Sequence, residues 1–251
     1  MISILTILVR ILACIAVLVI YVVVNSPAQA MAFFYGLNGS LAKNNGGPSL
    51  VPYGGTLGPT GYYFGPNTGL SLSGTGAFDV YSIDIRFYFD SVNASFNGYQ
   101  RILDFENRTS DTGLYSLSGS LVLFGSSSPI SPISAGQVFA DGTLADLLVM
   151  RDATGQFSAY VNGILAFSIP DLNSITTFSG PNSIMYFFVD DFQSLATHPT
   201  QLEAGSGFID SITVQVFPSA VPESSTWAMM PLGFAGLGFA FRQSRRRVSF
   251  A

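Results

Sequence analysis

The chain has 251 residues, ten of them basic and fifteen acidic, and a formal charge of −5. Hydrophobic residues make up 48% and charged residues only 10%, with a mean hydropathy of +0.43, which excludes a disordered chain and a cationic nucleic-acid-binding surface. The charge is unevenly placed. Arg10 stands near the start and Arg242, Arg245, Arg246 and Arg247 near the end, which leaves Lys43, Arg86, Arg101, Arg108 and Arg151 against fourteen carboxylates between residues 31 and 220, a balance of −9. An acidic middle therefore stands between two apolar ends.

Residues 1–24 are apolar apart from Arg10 and a few hydroxyls, and Asn25-Ser26-Pro27-Ala28-Gln29-Ala30 closes the run with an Ala-x-Ala step. Small residues there are what a signal peptidase reads, so residues 1–30 are expected to form a secretory signal helix that is removed. Arg10 lies inside the apolar run and the charged start is reduced to the terminal amine, so a retained spanning helix is the competing reading. Cys14 is the one cysteine, and apolar residues continue past it, which argues against acylation there. Cleavage leaves a chain without a thiol, whose stability must come from a core.

Residues 31–217 read as one all-β domain, in which Gly, Ser, Asn, Thr and Pro punctuate short runs of Phe, Tyr, Ile and Val. Residues 36–76 are loop-rich and are expected to supply the first strands. Over residues 81–89 the side chains of Tyr81, Ile83, Ile85, Phe87 and Phe89 share one face, and Ser82, Asp84, Arg86 and Tyr88 share the other. Period two puts the first set in a core. Leu103 and Phe105 alternate in the same way with Asp104 and Glu106, while residues 121–124 and 147–150 are apolar runs of strand length. Phe157, Ala159 and Val161 lead to Asn162-Gly163, with Leu165, Phe167 and Ile169 beyond. Asn-Gly accepts the positive φ angles of a two-residue hairpin turn, so a hairpin is expected here. Residues 184–189 and 208–216 complete the strands, and together they predict a two-sheet sandwich.

Residues 218–226 form a Pro/Ser linker. Beyond it, residues 227–241 make a short apolar helix broken by Pro231 and glycines, with arginines behind it, which fits a membrane segment whose basic end stays cytoplasmic. In their order Val221, Pro222, Glu223, Trp227, Arg245, Arg246 and Arg247, with Gly233, Gly236 and Gly238, resemble the PEP-CTERM sorting tail of exported Gram-negative bacterial proteins. Ser224 departs from the family, which has proline there. The resemblance implies transient anchoring in the inner membrane, cleavage by an exosortase, and delivery to the cell envelope or extracellular matrix. An ordinary tail-anchor helix is the alternative.

The middle resembles the concanavalin A-like lectin/glucanase superfamily, particularly its laminin-G-like domains, which implies an all-β, two-sheet antiparallel jelly-roll sandwich. Carrying residues are Leu37-Asn38-Gly39-Ser40, Gly69-Leu70-Ser71-Leu72, the stretch from Arg151-Asp152 to Asn162-Gly163, Phe187-Phe188-Val189-Asp190-Asp191 and Gly205-Ser206-Gly207-Phe208-Ile209-Asp210. The competing fold is a sandwich of immunoglobulin or carbohydrate-module type.

His198 is the sole histidine and precedes Pro199 in a polar loop, so nucleophilic triads and the usual zinc sites have too few parts. The Glu-x-Asp-x-x-Glu pattern of the superfamily's glycosidases has no match. Asp104 and Glu106 are expected on an exposed strand face, bridged by Arg101 or Arg108. Calcium is the candidate cofactor, because it takes hard oxygens from loop carboxylates. Asp190, Asp191 and Glu203 are its candidate ligands, with Asp210 near, and laminin-G-like relatives bind calcium at a loop rim. The alternative is that these acids cap turns. Tyr62, Tyr63 and Tyr99, among glycines in expected loops, are candidate sugar-stacking faces, or else plugs for the sandwich ends. The expected protein is a non-enzymatic, exported, lectin-like one with a surface polysaccharide as partner. A structural matrix protein and a divergent glycosidase are the alternatives.

Overall fold

A computed structural model describes residues 30–42, 47–76, 78–93, 96–125, 128–134, 136–178, 183–190 and 203–217. Within these the chain forms, in order, β1 (Met31–Tyr35), β2 (Val51–Tyr53), β3 (Thr56–Leu57), β4 (Tyr62–Phe64), β5 (Gly69–Leu72), β6 (Val80–Phe89), β7 (Tyr99–Asp104) and β8 (Gly113–Leu117). There follow β9 (Ser120–Gly125), β10 (Ser128–Ile133), β11 (Ala145–Arg151), β12 (Gln156–Val161), β13 (Ile164–Pro170), β14 (Met185–Phe187) and β15 (Gly207–Phe217). All pair antiparallel, in two sheets. The β6 sheet runs β13-β12-β11-β6-β15-β4-β3 with β1 also on β15, and the β7 sheet runs β10-β9-β8-β7-β14-β5-β2.

The alternation in β6 decides the core. Tyr81, Ile83, Ile85, Phe87 and Phe89 are all buried while Asp84 and Arg86 are exposed. In register beside them lie Val149 and Leu147 of β11, and Val214 and Ile212 of β15. This face packs with Leu70, Leu72, Leu103, Leu114, Leu121, Leu123 and Phe187 of the β7 sheet. Each such side chain contributes about 1.5–3 kcal/mol by leaving water. Aromatic clusters form at both ends of β6. Phe87 and Phe89 meet Phe64, Phe139 and Phe188 at one end, with Phe64 and Phe188 stacked at 4.4 Å. Tyr81 meets Phe78 and Phe178 at the other, and Phe105 continues that cluster.

The expected hairpin is present, with Asn162 at φ 52° and Gly163 at φ 76° between β12 and β13. Leu165 and Phe167 differ in burial, however. The β12–β13 register shifts between Ala159 and Tyr160, so Phe167 faces inward and Leu165 lies 52% exposed.

Two further expectations are corrected. Residues 62–64 are strand β4 rather than loop, and Tyr99 opens β7. Asp104 is not on an exposed face: it is fully buried against Arg101, and Glu106 lies beyond the end of β7 on the surface. The expected signal helix over 1–30 falls outside the described residues except for its last residue. The linker, Val221, Pro222, Glu223, Trp227, the apolar tail and its arginines lie wholly outside them. Among the described residues no helix is long and apolar enough to cross a membrane.

Candidate functional site

One edge of β15 pairs with β6 over nearly its whole length, and the other is shared by two short strands. β4 pairs with β15 up to Ile209 and β1 takes over from Ile212, so Asp210 and Ser211 have no strand beside them on that edge. The β15–β6 register also shifts between Ile209 and Ser211, a bulge that turns Asp210 out of the regular alternation. A cleft of about 430 Å³ opens at this gap, lined by Phe34, Asn38, Ser40, Asp210 and Ser211 among others.

Both flanking strands are fixed from behind by a buried tyrosine. The Tyr35 hydroxyl on β1 donates to the Pro48 carbonyl at 2.8 Å, and the Tyr62 hydroxyl on β4 donates to the carbonyls of Gly69, at 2.9 Å, and Gly54. Burial pushes both phenols up to about 12, so they are neutral donors at any working pH. The cleft rim is a strained turn, with Leu37 at φ 50° and Gly39 at φ 69°. Non-glycine residues rarely take that conformation, and packing of the fully buried Leu37 holds it there. Phe34 points the other way from Phe33 and Tyr35, remains 46% exposed, and presents its ring to the cleft.

On the same outer face, Phe208 lies between Tyr63 and Tyr88. Its ring is 5.0 Å from that of Tyr63 and 5.4 Å from that of Tyr88, stacked on the latter. Arg86 stands between Asp146 and Asp210, with 3.6 Å to each carboxylate. Partial burial, followed by the nearby charge of Asp146, raises the Asp84 carboxyl against the opposing pull of Arg86. The cleft and its surroundings thus combine exposed aromatic rings with carboxylate, amide and hydroxyl groups.

The structure does not gather the tyrosines chosen from sequence. Tyr62 is a core residue, 1% exposed, so it offers no stacking face. Tyr63 is its neighbour on the opposite face of β4 and is 47% exposed, beside the cleft. Tyr99 sits on the other sheet, edge-on to Tyr115 and Phe124. Phe34 and Phe208 gave no periodic signal in sequence. Asn38-Gly39-Ser40 did stand out as a polar turn, and it forms the rim.

Asp190 is fully buried. Its Oδ2 accepts the backbone N–H of Glu203 at 2.9 Å and its Oδ1 is 3.9 Å from Arg101 Nε, so the cation this carboxylate faces is a guanidinium. Asp191 lies outside the described residues. Among the described residues no group of three or more His, Cys, Asp or Glu side chains is placed to hold a metal ion. Arg101 itself donates to Asp104 at 2.5 Å and to the Tyr115 hydroxyl, so the carboxylate of Asp104 is committed to an internal partner.

No protein-family model and no curated protein matches the chain. Solved structures match in fold. The binding domain of botulinum neurotoxin serotype D is 12% identical, with a TM-score of 0.51 over 73% of this chain and 47% of that one. The serotype D ligand-binding domain in complex with N-acetylneuraminic acid gives 12% identity and 0.51 over 74% and 47%. The receptor-binding domain of the C/D mosaic serotype gives 13% and 0.50 over 73% and 46%. The chain spans about half the length of these domains. At such identities the likeness establishes the architecture alone, a two-sheet antiparallel sandwich.

Proposed function

We propose that the sandwich is a non-catalytic sugar-binding module whose site is the cleft at the β4-to-β1 handover on β15. The observation that carries this reading is the gap itself, which leaves Asp210 and Ser211 without a neighbouring strand along one side of β15, beside the ring of Phe34. An aromatic face covers the apolar C–H side of a pyranose ring. Asp210, Asn38, Ser40 and Ser211 supply donors and acceptors for vicinal hydroxyls, and Arg86 holds the Asp210 carboxylate in place. The cleft volume falls in the range usual for small-ligand sites, about 300–1,000 Å³. The fold shared with the serotype D domain seen with N-acetylneuraminic acid supports a sugar ligand, and fold analogy supports reading the sandwich as concanavalin A-like. A glycan array probed with the full-length chain tests this reading: retention of a defined glycan, lost in Asp210→Ala, supports it. A folded chain that retains no glycan leaves a matrix protein without a specific ligand.

The same proposal includes export and surface sorting by a signal peptidase and an exosortase-type enzyme, on the strength of Val221-Pro222-Glu223, Trp227 and the arginine cluster. The site would then face surface polysaccharide. Intact mass spectrometry on protein from its own host tests the sorting arm. Loss of residues 1–30 and of the tail beyond about Glu223 supports it, and a full-length mass overturns it.

A further inference from the structure

The β7 sheet carries a second set of groups, on the other sheet from the cleft. Asn107 and Arg108 follow one another with φ 54° and 60°, a left-handed pair without a glycine, held by the backbone N–H of Arg108 donating to Asp104 Oδ1 at 2.9 Å and that of Ile184 to Asn107 Oδ1 at 2.7 Å. This strained turn drives the Arg108 side chain under the aromatic rings of Tyr53 and Tyr186, 4.5 Å and 5.6 Å from its guanidinium carbon. Arg108 is 7% exposed. Nε donates to the Asp190 carbonyl at 2.6 Å, while Nη2 is buried with no acceptor among the described residues. Among the described residues no carboxylate lies within ion-pairing distance of this guanidinium, because Asp104 and Asp190 are turned onto Arg101.

A buried cation is costly where, as among the described residues here, no carboxylate faces it, and two tyrosine faces compensate it only in part. We propose that Arg108, Tyr53 and Tyr186 form a receptor for an oxyanion, and that its ligand class is a carboxylate-bearing saccharide. Nη2 supplies a charge-assisted hydrogen bond of the kind a guanidinium makes to a carboxylate. Tyr53 is 43% exposed on β2, a three-residue edge strand that is exposed throughout, and its ring lies over the guanidinium as the movable wall. The site needs nothing from the cleft on the β6 sheet and stands if that reading fails.

Calorimetric titration of the full-length chain with sodium glucuronate, sodium sulfate and glucose at matched ionic strength tests the proposal. Glucuronate is expected to bind and glucose to give no saturable heat. Arg108→Lys, which keeps the charge and loses the fork, and Tyr53→Ala, on an exposed edge, are each expected to weaken glucuronate at least tenfold with unchanged circular dichroism. Sulfate binding equal to that of glucuronate, lost in the same variants, supports the oxyanion receptor and shows that charge rather than the sugar is read. Heat indistinguishable from that of glucose, or glucuronate binding untouched by Tyr53→Ala, overturns the proposal.

Discussion

Arg101 Nη1 lies 2.5 Å from Asp104 Oδ2, and neither side chain exposes any surface. The same guanidinium donates through Nε to the Tyr115 hydroxyl at 2.7 Å and through Nη2 to the Ser110 carbonyl at 3.1 Å, and it faces Asp190 as well. Burial dominates the Tyr115 phenol, pushing it well above its ordinary value and keeping it neutral, so it accepts from the arginine as an alcohol. The cluster ties β7 and β8 to the segments at Asp190 and Glu203. Removing the cation strands two buried carboxylates. Arg101→Met is expected to lower the unfolding free energy by about 3–5 kcal/mol, with Asp104→Asn in that background returning part of it. Urea unfolding of the full-length chain measures both, and a loss below about 1 kcal/mol would show that the pair is dispensable.

Asp171 sits in a comparable polar plug at the Tyr81 end of the core. Arg151 Nε is 2.9 Å from its Oδ2, Thr176 donates to that oxygen through its hydroxyl at 2.7 Å, and the Ile175 amide donates to Oδ1. Burial pushes this carboxyl upward, but the bonds from Thr176, Arg151 and Ile175 together outweigh it and hold the group below its usual range. A depressed folded value means stabilisation that is full above the unfolded carboxylate range, about 3.9, and lost as pH falls through the lower folded value. Thermal midpoints between pH 7 and pH 2.5 are expected to drop below about pH 4. Asp171→Asn flattens that acid limb and lowers the midpoint at neutral pH. An unchanged acid limb in the variant would rule Asp171 out as its source.

These two clusters show where sequence reading stops. β6 and the β12–β13 hairpin were legible because one face of the β6 sheet is solvated, so polarity alternates with period two. β7 is buried on both faces, and a buried ion pair mimics the alternation of an exposed strand. Tyr62 and Tyr63 are chemically identical neighbours, and only the pleat decides that one fills the core and the other meets Phe208. The cleft was illegible because β4 and β1, distant along the chain, create it by ending at adjacent points on β15.

Gly163 and Gly207 differ in what a side chain there would meet. Gly163 has φ 76° and open space where a Cβ would stand, so alanine there meets only backbone strain of about 1 kcal/mol. At Gly207 a Cβ would run into the Tyr88 carbonyl of β6 and lie 2.9 Å from the Phe64 ring, both part of the packed sheet. Gly207→Ala is expected to cost about 3 kcal/mol, well above Gly163→Ala. Chemical unfolding of the two variants side by side checks the order, and equal losses would mean that β15 can shift away from β6 without penalty.

The cleft on β15 separates groups that would touch a ligand from those that only hold its walls. Phe34→Ala removes an exposed ring and Asp210→Ala an exposed acceptor, and neither side chain belongs to the core. For any glycan the chain retains, each substitution is expected to weaken binding about tenfold or more, since a stacking face or a hydrogen bond to a charged group is worth about 1–3 kcal/mol. Tyr62→Phe behaves oppositely. It deletes the bonds to the Gly54 and Gly69 carbonyls from behind β4, so it is expected to lower stability by about 1–3 kcal/mol and leave affinity within about twofold at a temperature where the chain stays folded. Binding isotherms paired with thermal midpoints resolve the two classes. Affinity that follows stability across all three variants would show that the cleft residues act on the fold and not on the ligand.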